Sequence, residues 1–363
     1  MVEYNSKIEE LETLIKDSKY NKRTQHAIGM YKAQLAKLKE KQASRGKGGG
    51  PKDGYSVRKT GDGTVLLLGF PSVGKSTLLN SMTNQESEVA AYAFTTLSVI
   101  PGLLEHKYAK IQILDVPGIV KGAASGRGRG KEVLSVMRNA DMVVILLEAT
   151  DVKRLPTIEK EVYDSDIRMN QTRPDVQIKK TARDGIKIAS TVKLELTKNT
   201  LKDILKEFKI SNADVVIRSK LNIDQWIDCI EDNKKYLPAI TIITKSDLVS
   251  KEELKILMKK TKADIAVSAT TGMGIEELKE LIFQRLNLMS IFMKEPGKEA
   301  DLEEPLIVFR GFTIRDVCNK LHKDFVRLFR FARVTGPSAR FPAQKLSLNH
   351  VLKDGDILEI HLD

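Results

Sequence analysis

The sequence predicts an α/β fold, a mainly parallel sheet with helices on both faces, and three observations carry that reading. From Thr64 onward the apolar runs VLLLGF, KIQILDV, VVILLEA and AITIIT alternate with stretches of helical periodicity. The runs are apolar throughout rather than at every second residue, as strands buried on both faces require. The first run ends in a Gly-rich turn that opens a helix at Lys75, and in such sheets ligands bind beyond the carboxyl ends of the strands.

At 363 residues the chain exceeds what one hydrophobic core usually organises, so several units are expected. Ile8, Leu11 and Ile15, then Tyr31, Leu35 and Leu38, recur at helical spacing on either side of the polar stretch 18–25, predicting a helical hairpin over residues 1–45. The segment SRGKGGGPKDG has no periodicity, and residues 46–60 read as a flexible linker. The α/β domain then occupies residues 61–290. Its strands VVILLEA and AITIIT stand roughly ninety residues apart, where a parallel crossover manages with a dozen or more. An inserted α+β subdomain is therefore expected at 165–225, with strands VQIKKTA, GIKIAST and DVVIRSK and a helix near 200–209. Charged residues with Pro296 and Gly297 mark 291–304 as a second linker. In the tail, 305–363, come strand PLIVFR, a helix opened by Thr313 with Asp316 three residues on, and DGDILEIHL with a turn at Asp354-Gly355, together a small β-rich fold holding one helix.

The formal net charge is +12, and residues 1–60 hold 14 Lys and Arg against 7 Asp and Glu. Such a basic arm suits polyanions, RNA foremost. The two cysteines, Cys229 and Cys318, form no CxxC or Cys/His cluster, so neither a disulfide framework nor a zinc site is indicated. The start, MVEYNSKIEE, is charged where a signal peptide is apolar, and the apolar run 142–147 is too short to span a bilayer. A cytoplasmic protein without membrane contact is the expectation.

Residues 69–76 read GFPSVGKS, a complete G-x-x-x-x-G-K-[ST] between a strand and a helix, so the domain is expected to be a P-loop NTPase. Gly69 and Gly74 let backbone N–H groups face phosphate, the helix N-terminus adds partial positive charge, Lys75 neutralises β and γ oxygens, and Ser76 offers its hydroxyl to Mg²⁺. Asp115 closes strand KIQILDV and opens DVPG, where a carboxylate holds the magnesium shell, and Gly118 can turn its N–H to the γ-phosphate. Between them YAFTT offers Thr96, with Thr95 second, to close over the metal when a third phosphate is present. The base is read by TKSD at 244–247: Asp247 can accept from guanine N1–H and the 2-amino group, donors that adenine lacks, while the stem of Lys245 covers the ring. After strand ADIAV, the backbone N–H groups of Ser268, Ala269 and Thr270 suit the guanine O6 carbonyl.

In GFPSVGKSTLLN, AYAFTTL and DVPGIVKGA the chain resembles the Obg-like, translation-factor-related GTPases, and most closely the developmentally regulated GTP-binding (DRG) family. That resemblance implies a G domain with an N-terminal helical hairpin, an inserted subdomain and a C-terminal TGS domain of ubiquitin-like β-grasp fold. It places nucleotide contacts on Gly69, Phe70, Pro71, Ser72, Val73, Gly74, Lys75, Ser76 and Thr77, on Thr244, Lys245, Ser246 and Asp247, and on Ser268, Ala269 and Thr270, with Mg²⁺ ligands on Ser76 and Thr96. It further implies a cytoplasmic role with ribosomes and translation, and a DRG-family regulatory protein as partner. Two departures stand out. Thr244 replaces the usual Asn of the base motif, losing an amide that braces the phosphate loop, and Ser72 replaces the Asn of potassium-stimulated relatives, which bears on K⁺ as a further cofactor.

For hydrolysis, Lys75, Thr96 and Gly118 are the expected catalytic group, acting by positioning and charge neutralisation. Ile119 follows DVPG where many GTPases carry a water-orienting Gln, so intrinsic turnover should be slow. The basic loop GAASGRGRGK at 122–131, with Arg127, Arg129 and Lys131, offers either a cationic element or RNA contact. The leading expectation is thus a Mg²⁺-dependent, monomeric GTPase switch acting on ribosome-associated RNA through the basic hairpin and TGS domain. The alternative is an RNA-binding or ribosome-binding adaptor in which nucleotide is mainly structural.

Overall fold

The computed structural model of the chain describes residues 2–44, 61–83, 100–115, 137 and 139–363. These fall into two compact units, one formed by residues 1–53 with 166–236 and the other by 54–165 with 237–363. Helices α1 (Val2–Asp17) and α2 (Gln25–Ser44) open the chain as the expected hairpin.

In the second unit strand β1 (Gly63–Leu68) leads through a six-residue turn, 69–74, into helix α3 (Lys75–Met82). Strands β2 (Ile100–His106), β3 (Ala109–Asp115) and β4 (Met142–Glu148) follow. After the helix Leu155–Asp164 the chain runs through strands β5 (Ile167–Met169), β6 (Val176–Lys180), β7 (Ile186–Ser190), β8 (Ala213–Ile217) and β9 (Lys235–Leu237). It returns as β10 (Ala239–Thr244) and β11 (Ile265–Ala266). The sheet order is β11-β10-β4-β1-β3-β2, parallel throughout except where β2 meets β3.

Alternate residues of these strands, among them Val65, Leu67, Ile113, Val144 and Ile242, share one core with Leu78 and Leu79 of α3 and Leu278 and Ile282 of the helix Ile275–Arg285. The residues between them, Leu66, Leu68, Leu114, Val143 and Ile145, are buried as well. Both faces are therefore covered, and each such side chain contributes about 1.5–3 kcal/mol by leaving water. The consequence for the site is rigidity: β1, β3, β4 and β10 all end on the same edge, held in register from within.

The insertion is a three-stranded sheet, β6-β8-β7, with β6 antiparallel and β7 parallel to β8. Helices Lys198–Glu207 and Ile223–Glu231 pack on it around Trp226, whose indole N–H donates to the Leu201 carbonyl at 3.3 Å. The expected end at 225 is too early, because that second helix and the residues to Tyr236 belong to the same unit. Arg168 grips Asp228 of that helix with two hydrogen bonds, 2.6 and 2.8 Å, both side chains being buried. Nor does the hairpin stand alone. Ile28 and Ala33 of α2 enter the insertion's core, and Lys32 and Lys37 pair with Asp224 and Glu207 at 2.7 and 2.8 Å.

A second sheet of the larger unit, order β13-β12-β16-β14-β15, comprises β12 (Leu288–Lys294), β13 (Leu306–Phe309), β14 (Phe329–Thr335), β15 (Gln344–Leu346) and β16 (Ile357–Leu362). The helix Ile314–Leu321 starts in a capping box in which Thr313 and Asp316 accept each other's backbone N–H groups. The expected linker at 291–304 is corrected here. Leu288, Met289 and Ile291 are buried, β12 pairs with both β13 and β16, and only the residues after Lys294 connect strands.

Candidate nucleotide site

The turn after β1 is shaped by two glycines with different constraints. At Gly69 an added Cβ would stand 2.8 Å from Val73 Cγ1 and 3.0 Å from the Leu146 carbonyl oxygen, so the turn lies hard against β4. Gly74 has open space around it but φ +91°, the left-handed region that suits glycine. It precedes α3 as a cap that supplies no side-chain acceptor, which leaves the first N–H groups of that helix to an incoming anion.

Lys75 is 8% exposed and donates to the carbonyls of Gly69 and Phe70, both at 3.0 Å. Burial pushes its pKa below 10.5, and the nearby Asp115 carboxylate opposes that shift. Ser76 donates its hydroxyl to Asp115 Oδ2 at 2.9 Å. Asp115 is buried and its other oxygen, Oδ1, has no hydrogen-bond partner among the described residues. A buried carboxylate oxygen left in that state costs several kcal/mol unless a cation or donor satisfies it. The donor set is hard oxygen, Ser hydroxyl and Asp carboxylate, which suits Mg²⁺ completed by phosphates and water. Ser76 and Asp115 thus fit such an ion.

The base loop follows β10. Thr244 places its hydroxyl 2.7 Å from the Val73 carbonyl oxygen and 3.1 Å from that of Leu147. The expected loss of a brace at this position is therefore corrected: a hydroxyl reaches the phosphate loop where an amide is usual. Lys245 sits at φ 55°, ψ 40°, and its ammonium lies 3.0 Å from Glu148 Oε1. Ser246 is buried, and Asp247 projects exposed, with no hydrogen bond or ion pair among the described residues. The Ser268 N–H is already committed to the Met273 carbonyl at 2.9 Å, so of the three N–H groups expected to meet a carbonyl oxygen only those of Ala269 and Thr270 remain.

Residues 64–180 match the family described as 50S ribosome-binding GTPase, 183–288 match the C-terminal region of that domain, and 289–362 match the TGS domain. An uncharacterized GTP-binding protein of Methanocaldococcus jannaschii is 50% identical over 358 residues, covering 97% of this chain and 91% of that one. Developmentally-regulated GTP-binding protein 1 of Xenopus laevis is 39% identical over 360 residues and protein 2 of Mus musculus 38% identical over 358, each alignment covering 98% of both chains. The chain belongs to the developmentally-regulated GTP-binding protein family.

In this DRG-family chain the fold brings Gly69–Thr77, Asp115 and Thr244–Asp247 to the carboxyl edge of one sheet, with Ser268–Thr270 following β11. Thr95, Thr96, Gly118, Ile119 and the basic loop 122–131 lie outside the described residues. Two participants carry no sequence motif. Glu148, the last residue of β4, is the partner of Lys245, whose hydrogen bond holds its carboxyl below the usual carboxylate range. Arg154 stacks its guanidinium 4.6 Å above the Phe70 ring and pairs with Asp151 at 2.5 Å. No helix among the described residues is long and apolar enough to cross a membrane.

Proposed function

We propose that this protein binds GTP and GDP across the two loops and hydrolyses GTP, slowly on its own, with Mg²⁺ held by Ser76, Asp115 and Thr96. The observation that carries the reading is Asp115, a buried carboxylate with one oxygen on Ser76 and the other without a partner among the described residues. A dication supplies there the positive charge that clustered phosphates require. The chain's own groups do the rest. Lys75 exchanges two loop carbonyls for phosphate oxygens, the uncapped start of α3 faces the anion, and Asp247 accepts from guanine. To Gly118 of the DVPG motif we assign the N–H that the γ-phosphate requires. Ile119 cannot orient water, which sets the slow rate.

The test is phosphate release from GTP by the wild type and Asp115→Asn, with Mg²⁺ and with a chelator. Turnover that persists without the dication, or survives the substitution undiminished, refutes the proposal. Repeating the assay in potassium and in sodium chloride decides whether the exposed Ser72 hydroxyl belongs to a K⁺ site.

The partner we infer is ribosomal RNA, with a DRG-family regulatory protein as a stabilising companion of a cytoplasmic monomer. Much of the hairpin's charge is internally paired, but Lys16, Lys19, Lys22 and Arg23 around its turn are exposed. On the TGS sheet Arg333 and Lys345 lie 5.9 and 4.6 Å from the Phe331 ring, which stacks on His361. The adaptor reading draws support from the hairpin's membership of a different unit from the nucleotide loops. Co-sedimentation with ribosomes under GTP analogue, GDP and no nucleotide separates the two: binding that follows the nucleotide supports the switch, and binding indifferent to it supports the adaptor.

A further inference from the structure

Four side chains, those of Glu148, Thr150, Asp151 and Arg154, gather at the carboxyl end of β4, and none belongs to a nucleotide motif. Glu148 is opposite Thr244 in the β4–β10 register, so its carboxylate stands beside the first residue of the base loop. It receives the Lys245 ammonium at 3.0 Å and a hydrogen bond from Thr150, and Arg154 lies near enough to act on its charge. Arg154 in turn is fixed by Asp151 and covers Phe70 of the phosphate loop. The carboxylate is half-buried, so its bond to Lys245 is less screened than a surface pair.

Lys245 needs such an anchor for two reasons. Its backbone sits at positive φ, a conformation that is unfavourable for a non-glycine residue and persists only when its surroundings hold it. Its side chain also has four rotatable bonds, and a stem that must lie flat as a wall for a purine loses that freedom on binding unless the free protein has already ordered it. An ammonium pinned at its far end orders the whole stem.

We propose that Glu148 is the positioning residue for Lys245, ordering the lysine stem for the guanine ring before nucleotide arrives. The inference rests on the assignment of guanine nucleotide to this site. Its role is exercised through Lys245, and the network through Arg154 and Phe70 ties that ordering to the phosphate loop.

The experiment is a double-mutant cycle on the full chain, titrating GDP with Mg²⁺ and following release of fluorescent GDP. Glu148→Ala is expected to weaken GDP binding about tenfold, mainly through faster release, since a charge-assisted hydrogen bond is lost. Glu148→Gln keeps an acceptor and nearly the same shape, so it should lose about threefold and guards against a folding defect, which thermal melting monitors. In a Lys245→Ala background, Glu148→Ala should change nothing further. Full additivity of the two substitutions, or wild-type affinity in Glu148→Ala, overturns the proposal while leaving nucleotide binding intact. Absence of GDP binding by the folded wild type would instead remove the assignment on which it rests.

Discussion

The Thr244 hydroxyl stands 2.7 Å from the carbonyl oxygen of Val73, joining the strand that carries the base motif to the loop that faces phosphate. Two segments 171 residues apart in sequence are thereby held by one side chain, with the Leu147 carbonyl of the intervening strand as a second neighbour at 3.1 Å. The contact is buried and neutral, so ionic screening does not weaken it.

Replacing Thr244 with Val keeps the shape and removes the hydroxyl. Buried carbonyls then lose a donor, which costs about 1–3 kcal/mol. The expected outcome is a lower melting temperature together with weaker GDP binding, read by differential scanning and calorimetry on the same preparation. A variant whose affinity matches the wild type would show that the phosphate loop holds its shape without this brace.

The two loop glycines should fail differently. In Gly69→Ala the new methyl meets Val73 and the Leu146 carbonyl oxygen inside real contact distances, so the loop must move off β4 and nucleotide affinity should drop by at least tenfold. Gly74→Ala meets no atom within 4 Å and pays only for its left-handed backbone, roughly 1–2 kcal/mol, mostly as stability. Parallel measurement of GDP affinity and thermal stability distinguishes the two; equal profiles would count against this division.

Asp247 is exposed, with no partner among the described residues, so substituting it should leave the nucleotide-free fold untouched. Asp247→Asn exchanges an acceptor of two guanine donors for a group that also donates. GDP affinity should fall roughly a hundredfold or more, at about 1.5–3 kcal/mol for each charged hydrogen bond lost. Xanthosine diphosphate, which offers a carbonyl in place of the 2-amino group, should recover much of that loss. Competition between the two nucleotides reads the swap directly, and GDP preference unchanged in the variant would refute the assigned role.

How much of this was legible in the sequence depended on whether the signal was local. GFPSVGKS and TKSD are contiguous because a strand tip and the turn after it are contiguous, so Lys75 and Asp247 could be read without knowing the fold. Glu148 and Arg154 could not, since a lone acidic residue after an apolar strand resembles any solvated strand end, and its meaning comes only from Lys245 across the β4–β10 pairing. The start of the second linker is hidden in the sequence because the short apolar strand β12 runs without a turn signal into the charged residues after Lys294. The true end of the insertion is not legible locally because the amphipathic helix around Trp226 belongs to a core assembled with α2, far away in sequence. Ile28 and Ala33 of α2 carry no signal in the hairpin's own spacing for the same reason: they serve that distant core.

Lys75 yields a prediction about pH. Its folded pKa lies below the 10.5 of the unfolded chain, chiefly because burial disfavours the charged form. Between the two values the unfolded chain binds the extra proton, so stability rises with pH across that window, and below the folded value the burial cost is present in full. Without nucleotide, the unfolding midpoint of the wild type should therefore climb relative to that of Lys75→Met as pH approaches 10.5. Bound GDP should abolish the difference in slope, because phosphate oxygens favour the charged ammonium and carry its pKa back up. Urea titrations of both proteins across the alkaline range, with and without GDP and Mg²⁺, check this. Parallel profiles in the absence of nucleotide would mean that Lys75 is solvated in the free protein, and that the two loop carbonyls do not hold it buried in wait for phosphate.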